Sequence, residues 1–338
     1  MAERRTRIAG VGSFVPPQVV TNDDLAELMD TSDEWIQQRS GIRTRHWVEG
    51  ETATSDLALE AAREALEMAG REPGDLEMII FATISPDHEF PGAGCFLQPK
   101  LGAIGIPCLD IRQACTGFVF GVSIADQYIR SGMYSRILVV GAEIHSKGLD
   151  KTSRGRDTAV LFGDGAGAMV LEANEIESFE DPGQIYSSHL HNDGRHAREL
   201  WIPAPTQARD SERITHEMID AGEHYPYMNG KKVFVAASRA MPESVIEACE
   251  ANGITPQDID LYLFHQANLR INQQVAKGLG VDESKVFNTI QDFGNTTAGT
   301  IPIGMAEALK AGRLERGMLV AMSAFGSGFG WGSVLLRY

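Results

Sequence analysis

The sequence predicts an α/β protein built as two similar halves, and three observations carry that expectation. Apolar strand-like runs alternate with helical patterns along the chain. The stretch Ala65–Phe81 recurs without gaps at Ala248–Phe264, 183 residues on, with alanine, glutamate, glycine, proline, aspartate and phenylalanine repeating in register. A short apolar strand, Pro107 to Ile111, runs into a helical segment that begins at an isolated cysteine, Cys115. A second internal match lies close to the first. Cys115 precedes Gly132 and Asn295 precedes Gly312 by the same interval, and an apolar strand follows each glycine. Cys115 and Asn295 are therefore expected at the starts of equivalent helices. The chain divides into residues 1–176, with Cys115, and 177–338, with Asn295 and His265.

The elements follow in order. Residues 8 to 12 read as the first strand. Thr21–Asp24 and Thr31–Glu34 both fit the hydroxyl-x-x-acid pattern that satisfies orphan N–H groups at a helix start, so two short helices are expected. On the second, Trp35 and Arg39 are four apart and share a face. Thr54 to Ala69, rich in Ala, Leu and Glu and closed by Gly70, is a strong helix. Leu76 to Ala82 and Arg136 to Gly141 are apolar strands on either side of the cysteine helix. Met169 to Glu172 is a strand entered by a tight turn at Phe162–Gly167, and Asn229 to Asn252 is a helix. Between 207 and 228 the pattern loosens into an acidic surface excursion, in which Ile214, Met218 and Ile219 fit one apolar helical face.

Composition excludes several functions. The chain has 338 residues, 43% hydrophobic and 22% charged, enough for a large core. Its net charge of −16 argues against general nucleic-acid binding, which needs a basic surface to displace counterions. Four cysteines without a close pair, and no apolar run long enough to span a bilayer, point to a cytoplasmic protein that neither enters membranes nor relies on disulfides. Ile8 to Val15 is too short and glycine-broken for an export signal. Gly10-Val11-Gly12 lacks the following helix that a dinucleotide site needs, because Pro16-Pro17 intervenes. His189, His191 and His196 lack the spacing of a zinc site, so no metal is expected.

A thiol at the first turn of a helix faces the positive end of the macrodipole, which lowers its pKa. A lone cysteine is nevertheless more often a small buried hydrophobe, the reading given to Cys95, Cys108 and Cys249. His265 directly follows the strand of the internal repeat, at the carboxyl end where open α/β sheets bind ligands. Two acid-free islands stand out in the acidic chain: Met228–Met241, with Lys231, Lys232 and Arg239, and Leu261–Val281, with Arg270 and Lys277.

Seven segments together resemble the β-ketoacyl-acyl-carrier-protein synthase III family of the thiolase-like superfamily, over essentially the whole chain. They are Thr31–Ile36, Gln113–Phe118, Ala125–Tyr128, Phe162–Gly167, His265–Ile271, Gly294–Thr296 and Phe325–Ser333. The resemblance implies a five-layer α-β-α-β-α sandwich of two duplicated halves, a homodimer, and acyl transfer from acyl-CoA to Cys115. Decarboxylative condensation with a malonyl-acyl-carrier protein would then give a 3-oxoacyl product, with no cofactor beyond these substrates. It also implies roles: His265 and Asn295 with Cys115 in catalysis, the backbone N–H groups of Cys115 and Ser327 as oxyanion hole, and Trp35 and Arg154 around the adenine of coenzyme A, with Arg39 alongside. By the same resemblance Phe234, Asn268 and Phe325 would line the pantetheine path, and Phe90 would be the floor of the partner's acyl pocket. Arg270 and Lys277, with Lys231 and Lys232, would dock the carrier protein. Val235 replaces a lysine common in that patch, Gly278 replaces a basic residue, and Gln113 replaces a small one. The 207–228 segment is longer than in the housekeeping enzyme. These departures suggest a specialised acyl preference. Two other functions remain open from sequence: an acyltransferase that uses an alcohol or amine acceptor, and a non-catalytic subunit that only docks carrier proteins.

Overall fold

A computed structural model describes residues 3–338. Two mixed sheets form its frame. The first comprises β1 (Glu3–Phe14), β2 (Met78–Ala82), β3 (Cys108–Ile111), β4 (Arg136–Glu143) and β5 (Gly165–Ile176), in the order β1-β5-β4-β2-β3. The second comprises β6 (Gln184–Asn192), β7 (Leu261–Phe264), β8 (Leu319–Gly326) and β9 (Gly330–Arg337), in the order β7-β8-β9-β6. Parallel pairing joins β2 to β3 and β4, and β7 to β8, while the remaining pairs, β1–β5, β5–β4, β8–β9 and β9–β6, are antiparallel. A parallel bridge between Tyr262 and Val286 stands where the second sheet would have its equivalent of β3. The two sheets thus share one strand order and one pattern of directions, the architectural trace of the internal repeat.

Helices build the other three layers. The seven longest are α1 (Asp33–Ser40), α2 (Thr54–Ala69), α3 (Ala93–Leu101), α4 (Gly117–Arg130), α5 (Gly230–Ala251), α6 (Leu269–Leu279) and α7 (Thr300–Lys310). Alternation along the strands decides which layer each residue feeds. Ile80, Val139, Leu263 and Met322 point inward, into a core with Phe118, Val122 and Ile129 of α4 and Ile301 and Met305 of α7. Their neighbours Ile79, Phe81 and Val140 pack outward against α2 and α3. Tyr262, Phe264 and Ala321 do the same against α5 and α6. Three cores separated by two sheets make an α-β-α-β-α sandwich.

Thr54–Ala69 forms as predicted, and Thr21 makes the complete reciprocal cap with Asp24. The cap of α1 is Ser32, whose hydroxyl accepts from the Trp35 N–H, not Thr31 one residue earlier. The loose segment contains a short helix, His216–Asp220, that buries Met218 but leaves Ile214 and Ile219 exposed. The buried-thiol reading fits Cys249; Cys108 is half-buried and Cys95 exposed.

The repeat register differs from the second sequence match. Met78 and Leu261 open equivalent strands, Arg136 and Leu319 do the same, and Gly117 and Thr300 open equivalent helices, each pair 183 residues apart. Just before those helices Ala114 and Thr297, the two non-glycine residues with positive φ among those described, adopt φ of 47° and 49°. At that offset the counterpart of Cys115 is Ala298. Asn295 lies three residues earlier than the expected pairing placed it. The shorter offset arose because it was anchored on Gly132 and Gly312, which end helices of unequal length.

Candidate active site

Cys115 lies not in α4 but in the single 3₁₀ turn Ala114–Thr116 ahead of it, and is buried. The second sheet closes over it: a Cβ added at Gly326, the last residue of β8, would stand 2.7 Å from Cys115 Cβ. Burial pushes the thiol up to about 12, and Glu143 at the end of β4 adds to the rise. The backbone N–H groups of Cys115 and Ser327 and the Thr297 hydroxyl pull the other way. The lowering expected from the helix start is therefore outweighed. Desolvation of a thiolate beneath two sheets exceeds what a few N–H dipoles return.

His265 follows β7, with its backbone N–H held at 2.8 Å by the Ser323 carbonyl of the parallel neighbour. Nδ1 lies 2.7 Å from the Thr300 hydroxyl at the start of α7, and buried Nε2 has no partner. The Thr300 hydroxyl, which also lies 3.0 Å from Thr297 O, donates to Nδ1 in the tautomer that carries its proton on Nε2. Burial pulls the imidazole down to about 3, so the ring is neutral at ordinary pH. Asn295 is buried between Leu161 and Gly163, with its N–H on Leu161 O and its carbonyl accepting from Gly163 N–H. Its Oδ1 accepts from Thr297 N–H at 2.8 Å, leaving Nδ2 as the free donor. Cys115, His265 and Asn295 thus meet around one residue that the sequence reading passed over, Thr297. Its hydroxyl faces the sulfur, its carbonyl adjoins the His265 ring through Thr300, and its amide fixes Asn295.

The other predicted residues occupy surfaces leading inward. Trp35, Arg39, Lys231, Phe234, Asn268 and Arg270 line one cleft of about 640 Å³. Arg39 lies 4.4 Å from the Trp35 ring centre and Arg270 5.7 Å from that of Phe234. Asn268 is engaged by the protein at both ends of its amide: Nδ2 donates to Arg39 O at 2.8 Å and Oδ1 caps α6 at Arg270 N–H. Arg154 does not face Trp35. Its guanidinium is drawn 2.5 Å from Asp150 and lies over Tyr225, in a separate cleft, and the arginine that joins Arg39 over Trp35 is Arg156, at 4.7 Å. Both arginines follow Thr152 within one turn, so spacing alone did not distinguish them. Phe325 sits in a third cleft, with Lys231, Lys232 and Arg239. Lys232 is paired to Glu199 at 2.5 Å. Arg270 and Lys277, seven apart on α6, project on one exposed face. Phe90 stands 81% exposed.

A duplicated five-layer sandwich with a buried cysteine at the helix start of one half and a histidine and an asparagine from the other defines the class: this is a thiolase-like protein. Residues 109–194 match the family model described as 3-oxoacyl-[acyl-carrier-protein] synthase III, and residues 249–338 match the one for its C-terminal part. The chain is 44% identical to the β-ketoacyl-[acyl-carrier-protein] synthase III of Methylococcus capsulatus, over 99% of both chains. Among solved structures it is similar to the 3-oxoacyl-[acyl-carrier-protein] synthase III of Aquifex aeolicus, with a TM-score of 0.87, 39% identity and coverage of 98% of this chain and 100% of that one. The Pseudomonas aeruginosa enzyme gives a TM-score of 0.88 at 35% identity, covering 99% and 98%. The chain belongs to the 3-oxoacyl-[acyl-carrier-protein] synthase III family.

Proposed function

We propose that this protein is an acyltransferase that loads an acyl group from acyl-CoA onto Cys115 and condenses it with malonyl-acyl-carrier protein, releasing carbon dioxide and a 3-oxoacyl-carrier protein. The observation that carries the reading is the convergence on Thr297 of a buried thiol, a neutral imidazole with a vacant nitrogen and an amide with a free donor. In the first half-reaction the sulfur attacks the thioester carbonyl while the amides of Cys115 and Ser327 hold the developing oxyanion. In the second, decarboxylation leaves negative charge on the malonyl thioester oxygen, and His265 and Asn295 Nδ2 stabilise it before the carbanion attacks acyl-Cys115. The thioesters supply their own activation, so no cofactor is needed. Coenzyme A lies with its adenine against Trp35, and the face bearing Arg270 and Lys277 receives the acidic carrier. The exposed Phe90 ring and the single-partnered edge strand β3 favour a homodimer. No helix among the described residues is long and apolar enough to cross a membrane; a cytoplasmic site of action belongs to the same reading.

The test follows both half-reactions. Acyl-CoA plus malonyl-carrier protein should yield the 3-oxoacyl product. His265→Ala and Asn295→Ala should slow carbon dioxide release at least 100-fold while changing acylation of Cys115 far less. Equal carbon dioxide release in variant and parent, or product formed from an alcohol or amine with malonyl donor absent, would reject it.

A further inference from the structure

In the first half-reaction one proton has no destination. The Cys115 thiol, held protonated by its burial, must lose its proton as it attacks, and β4 supplies a residue for that. His145, two residues past the end of β4, has Nε2 2.6 Å from Thr297 Oγ1. Its ring packs on Phe162 with centroids 4.6 Å apart, and its backbone N–H is held at 2.7 Å by Asp164, so the imidazole is fixed from two sides. Although it keeps some accessible surface, it lies deep in the protein, and burial holds it down at about 4, hence neutral. The intermediary is constrained as well. Thr297 is β-branched yet adopts φ of 49°, a region such residues rarely enter. Backbone strain of this kind is kept where the surroundings demand one geometry. Here that geometry holds Oγ1 2.6 Å from the imidazole, with the hydroxyl also acting on the thiol.

We propose that Thr297 relays the Cys115 thiol proton to His145 during acylation, so that His145 serves the first half-reaction and His265 the second. As the Sγ–carbonyl bond forms, the thiol proton passes to Thr297 Oγ1 and that hydroxyl's own proton passes to His145 Nε2. Collapse of the tetrahedral intermediate breaks the bond to the coenzyme A sulfur. The proton then returns through Thr297 Oγ1 to the departing thiolate, leaving acyl-Cys115, free coenzyme A and neutral His145. Sulfur never carries a full charge, because bond formation and proton loss coincide. A free thiolate in this buried setting is therefore not required. Thr297, whose hydroxyl acts on the Cys115 thiol, is the intermediary; His145, 2.6 Å from that hydroxyl, acts through it.

The proposal rests on Cys115 being the acylated residue, and the experiment separates the two. The rate of adduct formation on Cys115 from acyl-CoA is read by intact-protein mass, in H₂O and D₂O, for the parent, Thr297→Val, Thr297→Ser and His145→Leu. Each enzyme is then acylated to completion and chased with malonyl-carrier protein. Thr297→Val and His145→Leu should acylate at least about 100-fold more slowly, the lower end of general-base effects, and should lose the parent's solvent isotope effect. Thr297→Ser should retain both, and the chase in His145→Leu should proceed within threefold of the parent. Acylation of both slow candidates within threefold of the parent overturns the relay. So does a His145→Leu chase slowed as much as its acylation, the mark of a residue that merely holds the site in shape. Absence of any Cys115 adduct in the parent would instead defeat the underlying function.

Discussion

Gly326→Ala is the most direct perturbation of the contact between the two halves at the reactive sulfur. The added Cβ would lie 2.7 Å from Cys115 Cβ, 3.1 Å from its N and 3.3 Å from its Cα. Carbon atoms in contact prefer about 3.5–4.0 Å, so the turn and the strand must separate by roughly 1 Å. Neither can yield by rotating a flexible side chain. Gly326 ends β8, which is paired on both edges, and Cys115 is the middle of a buried turn. Overpacking of this kind costs about 1–3 kcal/mol, and a displacement near 1 Å at a reacting atom costs about 100-fold in rate. Gly304→Ala is the matched control: it lies in α7, and nothing stands within 4 Å of its added Cβ. It should gain up to about 1 kcal/mol from helix propensity and leave acylation intact. Urea unfolding together with the rate of Cys115 adduct formation measures both. Gly326→Ala acylating within threefold of the parent at undiminished stability would show that β8 does not press on the thiol.

Three further outcomes are expected. Glu172 sits between Arg7 and Arg136 in register on its two neighbouring strands and also reaches Arg71; burial opposes its charge, but these guanidiniums hold the carboxyl down at about 2. Because the folded-state pKa is depressed, the stability it contributes is complete above its ordinary value of 4.5 and is lost as pH falls toward 2. Glu172→Gln should thus destabilise by about 2 kcal/mol at pH 7, a figure reduced for the arginines' partial exposure, and by little near pH 2.5; a difference independent of pH would refute the pairing. Arg156→Ala should raise KM for acyl-CoA about tenfold with kcat nearly unchanged, the scale of a cation–π contact, whereas Arg154→Ala should do less; steady-state kinetics showing the reverse order would return the adenine contact to Arg154. Arg270→Glu should raise KM for carrier-bound malonate more than for malonyl-CoA, and equal effects on the two would remove Arg270 from docking.

The architecture was legible in the sequence because it is written twice. Ala65–Phe81 and Ala248–Phe264 share a helix end, a 3₁₀ turn and an inward strand, and the five layers follow once two such units bury one face each against α4 and α7. Legibility failed where local signals competed with the three-dimensional register. Gly132 and Gly312 are genuine helix-ending glycines, but α4 has 14 residues and α7 has 11, so anchoring on them moved the match by three and hid Thr297. The thiol's environment was misjudged for a different reason. Helix position is local and readable, whereas the number of layers over Cys115 belongs to the whole fold, and desolvation won. Arg154 and Arg156 lie two apart in a segment of 3₁₀ and α turns, where direction depends on partners such as Asp150 that are distant from Trp35 in the chain.

The central claim is that Cys115 carries the acyl group between two substrates. The decisive measurement is the mass of the peptide containing Cys115, taken over time as the enzyme meets acyl-CoA and is then chased with malonyl-carrier protein. The peptide should gain one acyl group and lose it as 3-oxoacyl-carrier protein appears, and Cys115→Ala should show neither event. An acyl group on another residue, or product formed at the parent's rate by Cys115→Ala, would contradict it.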